Sequence, residues 1–228
     1  MNSMEYKDLG GGSINESISI YNCDCMDLLK QTPDNYYSLA IVDPPYGCIK
    51  ENTEFKRRGM KVLNWDVIPS DDYFNQLFRV SKNVIIWGAN YFKIPIPKSV
   101  IVWDKKNYSP LYGDAELAYF YGKLIGMRTS GINMGGVKIF SKNNVDLKKI
   151  HPTQKPVKLY EWILSRYAEP NQKILDTHLG SGSIAIAIDN VNKIEKMNLT
   201  LTACELDPDY FKAAMKRIKR QTAQQTIF

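Results

Sequence analysis

The sequence predicts an α/β fold, a mostly parallel sheet with helices on both faces. Three observations carry this reading. Short apolar runs of strand character alternate along the chain with segments of helical period, as parallel strands joined by crossover helices require. A glycine turn, "GSG", joins such a strand to such a helix near the C-terminal end. At 228 residues with 44% apolar content, the chain suffices for one buried core.

The elements follow in order. "MNSMEYKDLGGGSINES", residues 1–17, reads as a mobile tail jointed at its "GGG". From residue 18 to 228 the chain reads as a single domain with a small insertion around 123–150. "ISIYNC" has the apolar spacing of a strand, "MDLLKQT" that of a short helix, and "YSLAIV" that of a second strand. "DDYFNQLFRVS" is helical in period, and "NVIIWG" is a continuous apolar run fit for a strand buried on both faces. "SVIVW" and "ELAYFYG" are strand-like. In "TQKPVKLYEWILSRYA", Thr153 is placed to cap a helix, Pro156 falls in its first turn, and Val157, Tyr160, Leu164 and Tyr167 share a face. "KILDTHLGSGSIAIAI" is strand, turn and helix, "LTACELD" another strand, and "PDYFKAAMKRIKRQ" a closing helix.

Composition narrows the function. No run approaches the roughly 18 apolar residues of a membrane span, and the N-terminus lacks the apolar stretch of a secretory signal, so a cytoplasmic protein is expected. Cys23, Cys25, Cys48 and Cys204 form no CxxC pair, and with only His151 and His178 beside them no zinc-ligand spacing can be assembled. The net charge of +6, with its basic residues clustered, favours a polyanionic partner.

Two stretches carry chemistry. In "AIVDPPYGCIK", Pro44 and Pro45 cannot continue a ladder, and their fixed φ makes a stiff turn that leaves nearby carbonyls free to accept. Asp43 and the Pro44 carbonyl then form a rigid acceptor pair for a planar amine, and Tyr46 offers a ring for stacking. The exocyclic amine of a nucleobase suits that pair once the base is flipped out of its duplex. In "ILDTHLGSGSIAIA", Gly180 and Gly182 suit a turn that lets backbone approach a cofactor; Ala185 replaces the third glycine of the dinucleotide fingerprint, so a plain strand-to-helix turn is equally consistent. Glu205, at the end of the next strand, stands where an acid holds ribose hydroxyls in nucleotide-binding folds.

These motifs, in this order, resemble the DNA amino-methyltransferases, specifically the circularly permuted β class of adenine-N6 enzymes. The likeness runs from about Ile18 to Arg220, with Asp43–Tyr46 first and the glycine turn near the C-terminus. It implies a Rossmann-like S-adenosylmethionine-dependent methyltransferase fold and methyl transfer to adenine N6 of DNA, with Asp43, Pro44, Pro45 and Tyr46 catalytic. It implies a cofactor site at Asp24, Cys25, Asp43, Asp176, His178, Gly180, Ser181, Gly182, Glu205 and Leu206. Thr153 and Lys155 of "HPTQKP" are expected at the methionine carboxylate. His178 departs from the family, which usually has phenylalanine there; a neutral ring filling the aromatic's place is the reading adopted.

Two basic runs, "CIKENTEFKRRGMK" with Lys50, Lys56, Arg57, Arg58 and Lys61, and "GKLIGMRTSGINMGGVKIFSKNNVDLKK" with Lys123, Arg128, Lys138, Lys142, Lys148 and Lys149, are expected to meet double-stranded DNA, as is Lys105. The second run lies where relatives keep their target-recognition region, and its shortness implies a short target or a homodimer that shares the reading. Arg217, with Lys212, Lys216, Lys219 and Arg220, reads as solvated helix surface. Two other functions fit the residues: methyl transfer to cytosine N4, whose enzymes usually begin the quartet with serine, and a non-catalytic DNA-binding module with a degenerate cofactor site.

Overall fold

The computed structural model describes residues 6–47, 66–105, 114–123, 150–151 and 154–223, together with the backbone of 126–130. The sites expected at Lys50, Lys56, Arg57, Arg58, Lys61, Lys138, Lys142, Lys148, Lys149 and Thr153, and the side chain of Arg128, lie outside the described residues.

Among the described residues one sheet runs β1-β2-β9-β8-β3-β4-β6-β5-β7. Its strands are β1 (Gly10–Asn15), β2 (Ile18–Asn22), β3 (Leu39–Val42), β4 (Val84–Trp87), β5 (Ser99–Asp104), β6 (Ala115–Tyr121), β7 (Gly126–Ser130), β8 (Lys173–Asp176) and β9 (Thr200–Cys204). Five neighbouring pairs are parallel, so the sheet is mostly parallel as expected; β6 runs antiparallel between β4 and β5, and β1 antiparallel to β2. The helices are α1 (Cys25–Gln31), α2 (Asp71–Val80), α3 (Val157–Tyr167), α4 (Ser183–Ile194) and α5 (Pro208–Thr222).

Strand alternation fills two core layers. Leu39 and Ile41 of β3 join the layer beneath α3, α4 and α5, while Ala40 and Val42 face α1 and α2. All four are at most 1% exposed, which is why this strand reads as an unbroken apolar run. Each fully buried leucine or isoleucine here contributes about 1.5–3 kcal/mol.

Two boundaries differ from the sequence reading. Part of the stretch assigned to a mobile tail is strand β1, and Tyr6 is buried with its hydroxyl bonded to Thr32 at 3.0 Å and to Tyr37. Glycine has low strand propensity, so "GGGSIN" carries no strand signal; Gly11 nonetheless fits because its Cα lies against the β2 backbone, where a Cβ would meet the Ile20 carbonyl. The helix of "HPTQKP" begins at Val157 with Pro156 at the cap position, later than a Thr153 cap would place it. Residues 126–130, at the start of the expected insertion, pair with β5 as an edge strand.

The connectivity creates a topological switch point. Parallel neighbours β3 and β8 lie at the centre, and from them the chain moves outward in opposite directions, to β4 from one and to β9 from the other. Ligands in open α/β sheets bind beyond the carboxyl ends of strands at such a switch point. Asp43 follows β3 there, and the glycine turn follows β8.

Candidate active site

The turn after β3 is held from several sides. The Gly47 N–H donates to Asp66 Oδ1 at 2.9 Å, and the Tyr46 hydroxyl donates to Asp43 Oδ1. The other oxygen, Asp43 Oδ2, accepts from Lys155 Nζ at 2.5 Å. Burial and the neighbouring Asp43 charge raise the Tyr46 pKa well above its usual value, so the phenol remains a donor. Its ring packs on Gly88 and stacks on Tyr91, with centroids 5.1 Å apart and planes 18° apart. Tyr46 thus binds the aspartate as well as presenting an aromatic face, and Tyr91, 56% exposed, already covers part of that ring.

Lys155 lies elsewhere than expected. Instead of reaching outward for a carboxylate ligand, it is 3% exposed at the side chain and paired with Asp43 and with Glu116 Oε2, the latter at 3.2 Å. Burial opposes its charge, but Asp43 and Glu116 outweigh that and raise its pKa. Its main chain is fixed too, since the Ser183 hydroxyl donates to the Lys155 carbonyl at 2.8 Å. Lys105, expected at DNA, is instead buried against Glu116 Oε1 at 2.7 Å, because the β5–β6 register sets Glu116 opposite Trp103, two residues along the chain from Lys105.

The turn after β8 is assembled by its neighbours. Gly180 N–H donates to Glu205 Oε2 at 2.8 Å, and Leu179 N–H donates to the Cys204 carbonyl at 2.9 Å. Glu205 Oε1 accepts from the Asp207 N–H at 3.0 Å, so the acid ties the turn to the end of β9. Burial raises its pKa. Leu206 beside it is 60% exposed, an apolar surface at the rim. Gly182 has φ +75°, and a Cβ there would stand 2.6 Å from Ile218 Cδ1 of α5. The absent side chain therefore makes room for α5 to pack against the turn.

Ser181 is also structural: its carbonyl accepts from Arg217 Nη1 at 2.8 Å and its hydroxyl meets Ser183 at 3.1 Å. This overturns the reading of Arg217 as solvated surface; burial lowers its pKa to about 10.

Asp176, 2% exposed, accepts the His178 N–H at 3.0 Å, and burial pushes its carboxyl up to about 8. The His178 ring packs edge-on to Tyr73 at 5.5 Å, with Nδ1 2.9 Å from the Thr177 hydroxyl, and burial lowers its pKa to about 4. It is a neutral ring at pH 7. At the end of β2, Asp24 caps α1 by accepting from Met26 N–H at 2.8 Å, and Cys25 is a neutral thiol whose pKa burial raises to about 12.

The sequence reading missed Glu116, Tyr91 and His151. Glu116 sits in a strand whose polarity signalled only a half-buried face, and Tyr91 in a short 3-10 turn (Ala89–Tyr91). His151 had a signal in "HPTQKP": its ring lies 3.6 Å from where a Gly180 Cβ would be and packs edge-on to Tyr210 at 4.5 Å.

Residues 133–216 match the sequence profile of a DNA methylase family, the N6/N4 type. The chain is 28% identical over 235 aligned positions to the type II methyltransferase M.BglII of Bacillus subtilis, covering 76% of this chain and 63% of that one. It is 24% identical to the type II methyltransferase M2.MboI of Moraxella bovis, covering 77% of this chain and 80% of the relative. The fold is that of the M1.HpyAVI–SAM complex (TM-score 0.54, 21% identity, covering 88% of this chain and 99% of that one). The cytosine-N4-specific PvuII DNA methyltransferase shares it as well (TM-score 0.56, 16% identity, 94% and 95% covered).

Proposed function

We propose that this chain, which belongs to the N6/N4 DNA methylase family, transfers a methyl group from S-adenosylmethionine to the N6 amine of a flipped DNA adenine. The observation that carries the proposal is the pair of turns at the switch point, one presenting an aspartate–proline acceptor platform and the other a glycine turn braced by Glu205.

The residues suit the cofactor. Each Glu205 oxygen accepts one backbone N–H and keeps a lone pair for a ribose hydroxyl, while exposed Leu206 suits a purine face. Asp24, Asp176 and the turn from His178 to Gly182 complete the proposed site, with Cys25 beside Asp24. When bound, the cofactor supplies an electrophilic methyl on a sulfonium centre.

The chain's own work is positioning, which in an oriented bimolecular step is worth as much as about 7–11 kcal/mol. Asp43 and the Pro44 carbonyl accept the two hydrogens of the amine and draw its lone pair out of conjugation. Pro45 stiffens the turn, and Tyr46 and Lys155 fix the two Asp43 oxygens while leaving each a lone pair. No covalent enzyme intermediate is required.

The PvuII enzyme serves a cytosine with the same fold, so the acceptor is argued from Asp43, since cytosine-N4 relatives usually carry serine there. The basic runs around Arg57 and Lys138 are proposed to hold the duplex, with a homodimer sharing a short recognition sequence. Expression in a host lacking its own DNA methyltransferases, followed by nucleoside analysis of that host's DNA, tests the proposal. N6-methyladenine in one short sequence context is expected. N4-methylcytosine would replace the acceptor, and unmodified DNA from cells holding soluble protein would overturn the proposal.

A further inference from the structure

Behind the proposed acceptor platform, Asp43 and Lys155 extend into a cluster of charges whose outer members, Glu116 and Lys105, the methyl-transfer reading does not use. Two anions, Asp43 and Glu116, alternate with two cations, Lys155 and Lys105, over a floor of Trp87 and Trp103. Lys155 Nζ lies 5.2 Å from the Trp87 ring and Lys105 Nζ 5.6 Å from the Trp103 ring, and the two rings meet edge-on at 6.2 Å. The side chains of Lys155, Lys105 and Asp43 are 3%, 9% and 14% exposed, and that of Glu116 is 28% exposed. Burying such a set costs several kcal/mol of hydration per ion, and apolar residues of equal volume often serve stability as well or better. A purely structural role therefore explains it poorly.

We infer that Glu116 is a positioning residue: clamped by Lys105, it holds the Lys155 ammonium against Asp43, so that Lys155 serves the acceptor platform and not the cofactor's carboxylate. The inference rests on the methyltransferase reading. Lys105 takes Glu116 Oε1 at 2.7 Å, which turns Oε2 toward Lys155 Nζ at 3.2 Å, a charge contact outside hydrogen-bond geometry. Lys155 is thereby pressed to 2.5 Å from Asp43 Oδ2. The main-chain atoms of the three outer members are fixed by the sheet and by α4: Glu116 pairs with Trp103, Lys105 N–H donates to the Asp114 carbonyl at 2.9 Å, and the Lys155 carbonyl accepts from Ser183. Burial works to raise the Glu116 pKa, but Lys155 and Lys105 hold it below the usual glutamate value. The other titratable groups facing the cluster are Tyr46 on the turn, Tyr160 on α3, Asp176 at the end of β8 and His151.

Two readouts test this on the intact protein. The first needs neither DNA nor turnover: side-chain ¹⁵N NMR of lysine-labelled protein, with the Lys155 signal assigned by Lys155→Arg, follows its ammonium as pH rises. Glu116→Gln is expected to lower the midpoint for Lys155 by about one unit or more, with Glu116→Asp restoring part of the shift. An unmoved midpoint in a folded Glu116→Gln protein would overturn the inference. The second readout separates binding from turnover. Glu116→Gln is expected to lower kcat at least tenfold while S-adenosylmethionine affinity, measured calorimetrically, stays within threefold. Weakened cofactor binding at unchanged kcat would return Lys155 to the cofactor's carboxylate and overturn the inference. If the parent protein transfers no methyl group, the methyltransferase reading fails while the NMR result still decides whether Glu116 holds Lys155.

Discussion

Gly88→Ala links backbone geometry to the proposed chemistry most directly. Gly88 follows β4 with φ +62°, and a Cβ built on it would overlap the Tyr46 ring. A left-handed backbone costs a residue with a Cβ about 1–2 kcal/mol, and overpacking a filled contact costs about 1–3 kcal/mol more. A loss near the middle of that range, about 3 kcal/mol, is a large part of a domain stability of about 5–15 kcal/mol. At this chain length it corresponds to a fall in Tm of about 6–12 °C. Tyr46 has Tyr91 stacked on its ring, so the overlap also moves its hydroxyl off Asp43. A hydrogen bond to a charged group contributes about 1.5–3 kcal/mol, and if it strengthens along the reaction its loss slows turnover about 10–150-fold. The assay is a thermal melt beside single-turnover methyl transfer, with Tyr46→Phe as the variant that removes the hydroxyl alone. Both variants should show the kinetic loss, and Gly88→Ala should melt well below the parent. A Gly88→Ala protein with parental Tm and turnover would refute the packing argument.

Further outcomes follow from other contacts. Since the His178 pKa is lowered to about 4 by burial, the unfolded chain takes up the proton first, and this histidine costs stability as pH falls from about 6.5 toward 4. His178→Phe should therefore gain on the parent in urea midpoint between pH 7 and pH 4.5; parallel profiles would show that the ring is not buried neutral. Arg217→Met leaves the Ser181 carbonyl without its donor, at a cost of about 1–3 kcal/mol, and should speed hydrogen exchange at the amides of the glycine turn; unchanged exchange would remove Arg217 from that role. If Arg57 and Arg58 contact phosphates, replacing both with alanine should flatten the log–log salt dependence of DNA affinity by about two units, and an unaltered slope would return them to solvent.

What the sequence made legible were the features with local causes. The buried runs Leu39–Val42 and Val84–Trp87 could only be interior strands, and the prolines after Val42 marked where the first must end. The turn at Gly180 was readable because few residues tolerate its backbone. Contacts made by long-range pairing were not readable. Lys155 and Asp43 are 112 positions apart, and nothing local distinguishes a lysine bound for a buried aspartate from one reaching for a ligand. Lys105 and Arg217 looked like surface charge because their partners, Glu116 and the Ser181 carbonyl, are supplied by strand register and helix packing. The strand at Gly10–Asn15 was hidden for the opposite reason: its glycines signal flexibility, yet the ladder to β2 orders them.

The central claim is that the aspartate after β3 acts on the substrate's amine while the turn after β8 holds the cofactor. Asp43→Asn tests it, because the side chain keeps its size and loses its charge and one acceptor. Calorimetric S-adenosylmethionine binding and single-turnover methyl transfer to unmethylated DNA should be measured on the same preparation. Methyl transfer is expected to fall by orders of magnitude while cofactor affinity stays within a few-fold, since the lost contact strengthens along the reaction path. Near-parental transfer by a folded Asp43→Asn protein would contradict the account.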